Sequence, residues 1–213
     1  SSLFLAVYQT VNGTCATYYA QYILGNNEYY SVLNLAENIP QVIVIMILAP
    51  FIKKFGKRNL VLWGAVITVV AQLLLLVVPA NPTFAAVVAA IRGIGKAPLF
   101  GCVFTMMADV VNYGHWKTGV RVQAPIFSAA TVGQKFGGGV AGAVVGWLMD
   151  ASGFTGLQEE IPSAVAMVEN LYIWGTVLAW AVIIVLMVAY KLDRQYNGMI
   201  KDMEQKGMLK QAD

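Results

Sequence analysis

Residues 41–74 read QVIVIMILAPFIKKFGKRNLVLWGAVITVVAQLL, two apolar runs split by a short hinge that holds Lys53, Lys54, Lys57 and Arg58. A bilayer core takes about 20 apolar residues per helix, and the two runs, extended to 30–52 and 59–79, are both of that order. Basic clusters of this kind mark the cytoplasmic ends of membrane helices. The same pattern repeats outward in both directions. It predicts helices over 3–24, 30–52, 59–79, 83–112, 122–150 and 166–191. The chain therefore reads as all-α, a polytopic membrane protein built as a six-transmembrane-helix bundle over 1–191. An amphipathic cytoplasmic tail follows over 192–213.

Composition agrees. The chain is 58% hydrophobic and 12% charged, where a soluble domain is about one quarter charged. Lys117 and Arg121 follow the fourth apolar run, and Lys191, Arg194, Lys201, Lys206 and Lys210 follow the sixth. The alternate loops, 25–28, 78–83 and 151–163, contain no Lys or Arg. The positive-inside rule places the basic loops and the C-terminus in the cytoplasm. A net charge of +3 spread over such loops does not point to nucleic acid. The chain starts at Ser1 inside an apolar run with no charged leader, so a signal peptide is not expected. The expectation is the C-terminal part of a longer protein. Cys15 and Cys102 lack metal or disulfide spacing and read as small packing residues.

Three basic residues remain inside apolar runs: Arg92, Lys96 and Lys135. Such residues cost a few kcal/mol even on the mildest scale and normally face a cavity or a partner charge. Arg92 and Lys96 lie one turn apart, so both project from one face. A paired cationic site of this kind suits an anionic ligand, and a neutral one remains equally open. Lys135 is preceded by Thr131 and Gln134 and followed by Gly137, Gly138 and Gly139. Gly138, Gly142 and Gly146 recur every four residues, a smooth face for close helix packing. Glu37 shares a face with Asn34, Asn38 and Gln41. It reads as a solvated vestibule carboxylate or as a proton or substrate contact, and it is the one plausible internal partner for Lys135.

The first helix, with Gln9, Asn12, Thr14, Thr17, Tyr18, Tyr19 and Gln21, is too polar to face lipid all round. The third has Gln72 as its one strongly polar interior residue and reads as a lipid-facing support. Trp174, Trp180 and Tyr190 are expected at lipid or at the interfaces. In the tail, Leu192, Tyr196, Met199, Ile200 and Met203 fall at helical spacing, which predicts a short surface helix.

Met106–Arg121 reads Met-Met-Ala-Asp-Val-Val-Asn-Tyr-Gly-His-Trp-Lys-Thr-Gly-Val-Arg. This resembles the signature of the glycoside–pentoside–hexuronide:cation symporters, the melibiose-permease group of the major facilitator superfamily. That signature is Ala-Asp-x-Val-(Asp/Glu)-Tyr-Gly-Glu-(Trp/Tyr)-Lys, with an Arg shortly after. Asp109, Tyr113, Gly114, Trp116, Lys117, Gly119 and Arg121 match it. Asn112 and His115 stand where the family has acids. Phe55–Arg58 is similar to the superfamily's short basic loop. Lys135 with its glycines is similar to the family's mid-membrane Lys near the sugar and cation sites, and Thr131 to a Thr beside it.

The resemblance covers essentially the whole chain as the C-terminal half of a twelve-helix carrier. It implies sugar:cation symport by alternating access across a bacterial inner membrane. It implies a sugar or glycoside substrate and a co-transported Na⁺, H⁺ or Li⁺, with no other cofactor. The main cation site is expected in the N-terminal six-helix half, the chain's structural partner along with the lipid bilayer. Lys135, Thr131, Gln134, Arg92 and Lys96 are the candidate substrate-binding residues. Asp109, Tyr113, Lys117 and Arg121 are the candidate cytoplasmic gate, with Asp109, Lys117 and Arg121 forming a charge network. An enzyme is not expected: one His, no HExxH and no Ser/His/Asp set offer no catalytic constellation. The alternative is a non-transporting scaffold or sensor derived from a carrier half, which the losses at Asn112 and His115 keep open.

Overall fold

A computed structural model describes residues 2–78, 80–120, 122–156, 161–190 and 192–205. The described residues form long rods joined by short turns: α1 Ser2–Tyr22, α2 Glu28–Phe55, α3 Lys57–Leu74, α4 Pro82–Thr118, α5 Gln123–Ala151, α6 Pro162–Asn170, α7 Thr176–Ala189 and α8 Leu192–Gln205. A π-helical turn at Leu171–Gly175 joins α6 to α7 without a break. Four rods are long and apolar enough to cross a membrane: α2, α3, α4 and the continuous 162–189 rod. The α1 and α5 rods are 21 and 29 residues long, and carry more polar and small residues.

The caps show why the rods end where they do. Asn81 accepts a hydrogen bond from the Phe84 N–H at 3.1 Å with Pro82 in the first turn, which starts α4. Gly119 adopts φ 74° and its N–H reaches the His115 carbonyl at 2.8 Å, which ends it. The helix thus runs to Thr118, past the expected end at residue 112, and carries the whole Ala108–Lys117 motif on helical backbone.

α4 packs between α2 and α3, and α1 packs on α5 and on the 162–189 rod. Glycines set the spacing. A Cβ on Gly93 would overlap the Glu37 backbone, and one on Gly95 would meet the Gly64 carbonyl and Thr68. On α5 the glycine face meets α1 at Leu3 and Thr10 through Gly137, Gly138 and Gly142, whereas Gly146 faces open space.

Two apolar clusters divide the bundle along its length. One holds Tyr19, Leu33, Leu75, Ala89 and Tyr172; the other holds Leu5, Leu48, Val61, Leu99 and Trp180. Between them each neighbouring rod contributes buried polar residues: Glu37 and Gln41, Thr68 and Gln72, Arg92 and Lys96, and Thr176. Outward, Ile39, Val42, Ile43, Met46 and Ile47 of α2 form an exposed apolar stripe, far more than a soluble surface leaves open and suited to lipid.

Candidate functional site

Glu37 is the hub of the polar layer. Its Oε1 accepts from the Tyr8 hydroxyl at 2.7 Å and from Lys96 Nζ at 2.8 Å. Its Oε2 accepts from the Arg92 guanidinium and, more distantly, from the Asn12 amide at 3.4 Å. Arg92 also donates to Gln72 Oε1 at 2.7 Å, and the Gln72 amide donates to the Tyr172 carbonyl at 2.8 Å. Tyr172 lies in the π-turn, and its ring sits 5.2 Å from the Arg92 guanidinium. One network therefore ties α1, α2, α3, α4 and the 162–189 rod together. Glu37, Arg92 and Lys96 are 4%, 1% and 6% exposed, so the ion pairs are fully withdrawn from solvent. Two cations and one carboxylate leave a net +1. Breaking such a pair by deleting one partner costs about 3–5 kcal/mol.

Lys96 and Glu37 open onto a polar pocket of about 270 Å³ between α1, α2 and α4. Gln9, Asn12, Asn34, Asn38 and Gln41 line it with amide groups. Asn38 is held by Asn34 through its amide at 2.8 Å. Arg92 does not reach this lining.

The α5 residues stand apart. Lys135 and Thr131 are exposed, Gln134 is half-exposed, and no described α5 residue lines the pocket. The Thr131 hydroxyl donates to the Phe127 carbonyl of its own helix at 3.0 Å. Lys135 projects from the same rod whose glycine face is packed on α1.

At the end of the bundle where α2 passes into α3, Lys57 Nζ meets Asp109 at 2.5 Å, with Asp109 buried. Tyr196 of α8 lies 5.1 Å from Lys57 Nζ, and its hydroxyl interacts with the Asp109 and Asn112 side chains. Burial, and next the negative charge of Asp109, hold the Tyr196 phenol above its ordinary pKa. Arg58 caps α7 by donating to the Met187 and Val188 carbonyls at 2.8 and 2.9 Å. The Arg58 N–H itself donates to Asp193 at 3.0 Å. Met199 and Met203 bury the apolar side of α8.

The family model described as MFS/sugar transport protein matches residues 1–194. The chain belongs to the MFS/sugar transport family. It is 33% identical over 161 residues to the isoprimeverose transporter of Lactiplantibacillus pentosus, a match covering 72% of this chain and 33% of that protein. It is 28% identical over 150 residues to the glucuronide carrier protein homolog of Escherichia coli (strain K12), covering 70% and 33%. It is 22% identical over 184 residues to a putative sulfoquinovose importer of Salmonella typhimurium, covering 86% and 39%. The chain spans less than half the length of these curated relatives. The family is one of transporters, not enzymes.

Several expectations are revised within this MFS chain. Of the expected Asp109, Lys117, Arg121 network, the described residues show Asp109 paired with Lys57 and not with Lys117. The reason is the helical run to Thr118, which carries Lys117 about 12 Å along the axis beyond Asp109. Lys117 is exposed there and stacks 5.2 Å from the Tyr113 ring, which itself lies 5.9 Å from Trp116. Arg121 lies outside the described residues. Glu37 is not a solvated vestibule group, and its partners are Arg92 and Lys96 rather than Lys135. The α3 rod is lipid-facing on one side only, since Gly64, Thr68 and Gln72 are buried. Trp180 is fully buried, edge-on to Tyr8 at 5.3 Å. Lys57 and Gln72 are partners of these charges that the sequence reading passed over. For Lys57 the only signal was its place in the basic loop.

Proposed function

We propose that this chain is the C-terminal six-transmembrane half of a sugar:cation symporter that works by alternating access, with its C-terminus in the cytoplasm of a bacterium and its helices in the inner membrane. The observation that carries the reading is the buried Glu37–Arg92–Lys96 layer opening onto a polar pocket, in a chain of the MFS/sugar transport family. Intramembrane charges of this kind mark substrate pathways, and binding sites in such carriers lie near the midplane between two bundles. The exposure of Lys135 and Thr131, and the partial exposure of Gln134, on α5 supports their facing the second bundle across the sugar path. In this reading Lys135 and Lys96 contact substrate, and Arg92 acts through Glu37. The Na⁺ or H⁺ that drives uptake binds mainly in the N-terminal half.

The Lys57–Asp109 pair, braced by Tyr196, is the cytoplasmic gate. It joins the α2–α3 junction to α4 when the inner end is closed and parts on inward opening. Lys135→Ala in the full carrier, assayed by sugar uptake into proteoliposomes, tests the assignment. Loss of uptake with retained folding supports it, and unchanged uptake rejects the site.

A further inference from the structure

The turn between α2 and α3 stands at the end of an apolar furrow that transport does not use. α4 packs between these two helices, so α2 and α3 are held apart along a groove of about 350 Å³. Ile47 and Phe51 of α2 form one wall, Trp63 and Ile67 of α3 the other, and Ile94 and Pro98 of α4 the floor. All of these but Pro98 are exposed, inside three rods able to cross a membrane. Ile94 and Pro98 each lie two residues from Lys96, about 200° around the helix. The groove is therefore on the face of α4 opposite the Glu37–Lys96 pocket. At its basic end the Phe55 and Trp63 rings lie 5.3 Å apart and join it to a second pocket of about 330 Å³. Lys53, Lys54, Arg58 and Asn59 line that pocket, with Asp193 as the acid among them. Asp193 accepts from the Arg58 backbone N–H, and the Arg58 guanidinium donates to the Met187 and Val188 carbonyls. Lys57 is taken by Asp109. Lys53 and Lys54 are exposed and have no ion pair among the described residues. Three cations against one carboxylate leave the described lining at +2.

We infer that the groove and the basic pocket together form a binding site for one anionic phospholipid, its acyl chain along Phe51, Trp63 and Ile67 and its phosphate on Lys53 and Lys54. The inference goes beyond the transport reading and depends only on the chain spanning a bilayer. Charge complementarity selects the headgroup: basic pockets between membrane helices at the cytoplasmic side suit acidic lipid heads, and a zwitterionic head leaves the +2 uncompensated. Continuity selects a lipid over a free anion, because the cationic pocket opens directly into an apolar groove. The dimensions agree. From Asn59 to Ile67 the site spans about 12 Å of α3, within the single leaflet of a core about 30 Å thick. Trp63, one turn in from the basic residues, sits where an aromatic ring favours the headgroup boundary.

The test is quenching of Trp63 fluorescence in the full carrier, reconstituted in phosphatidylcholine vesicles, by lipids with brominated acyl chains. Two probes with identical chains are compared, phosphatidylglycerol and phosphatidylcholine, and the Trp63 signal is the difference between wild type and Trp63→Phe. Brominated phosphatidylglycerol is expected to quench that signal at a mole fraction about tenfold or more below brominated phosphatidylcholine, given about fivefold per lysine near the headgroup. The preference should shrink in high salt. Lys53→Gln with Lys54→Gln is expected to bring the ratio to about 1 while quenching by phosphatidylcholine is unchanged, which shows that the fold and the groove persist. Lys53→Arg with Lys54→Arg should keep the preference. Equal quenching by the two lipids in the wild type, or a preference that survives the double Gln variant, overturns the site. So does quenching by neither lipid, which would mean that the groove is covered by protein. Soluble glycerol phosphate at millimolar concentration should leave the quenching unchanged, and full competition by it would show a free-anion pocket and overturn the lipid.

Discussion

Arg92 of α4 crosses to Glu37 of α2 and forms an ion pair whose side chains are 1% and 5% exposed, held from behind by Gln72 of α3. Together with Lys96 the pair makes an odd-numbered charge set, so the three residues are not equivalent in what their removal does.

Glu37→Gln leaves two buried cations without a carboxylate. It should cost about 3–5 kcal/mol of bundle stability, seen as a large drop in melting temperature of the detergent-solubilised protein. Lys96→Gln leaves a neutral Glu37–Arg92 pair and should cost much less. Equal losses for the two variants would contradict the description of Lys96 as the surplus charge.

Gly93→Ala places a Cβ against the Glu37 backbone, where neither helix can yield without opening the α2–α4 contact. A destabilisation of about 1–3 kcal/mol is expected from such overpacking. Gly139→Ala, with nothing within 4 Å of the new Cβ, should be neutral or slightly stabilising. Melting curves of the two variants decide it, and a tolerated Gly93→Ala would put the packing of α4 on α2 in doubt.

In the proposed gate, Lys57 is 17% and Asp109 4% exposed, so the pair is partly screened. A double-mutant cycle with Lys57→Gln and Asp109→Asn should return a coupling of about 1 kcal/mol. Tyr196→Phe should weaken that coupling, since it removes the hydroxyl that reaches Asp109 while leaving the ring near Lys57. Coupling near zero would remove Lys57 from the gate.

The rods and the basic loops were legible because apolar length and loop charge are local properties. The partners were not. In lipid both faces of a helix are apolar, so burial leaves little hydropathy contrast. Gln72 on an otherwise apolar α3 and Trp180 in the last rod therefore read as lipid-facing, although both are fully buried. The Arg92 and Lys96 spacing did announce a shared face, but the sequence set Glu37 against Lys135. Matching that acid to α4 rather than to Lys135 needed the glycine contact at Gly93, which depends on how two rods cross. The end of α4 was misjudged because Gly114 and the polar residues around it suggested a loop, whereas the helix holds to its left-handed cap at Gly119.

The most direct test of the central claim is gradient-driven accumulation of labelled methyl β-D-glucuronide by the full carrier in proteoliposomes, wild type beside Lys135→Ala, under imposed H⁺ and Na⁺ gradients in turn. Accumulation above equilibrium under one gradient, lost in Lys135→Ala while the melting temperature is kept, is the predicted result. Binding of the sugar with no accumulation under either gradient, or uptake undiminished in Lys135→Ala, would contradict it.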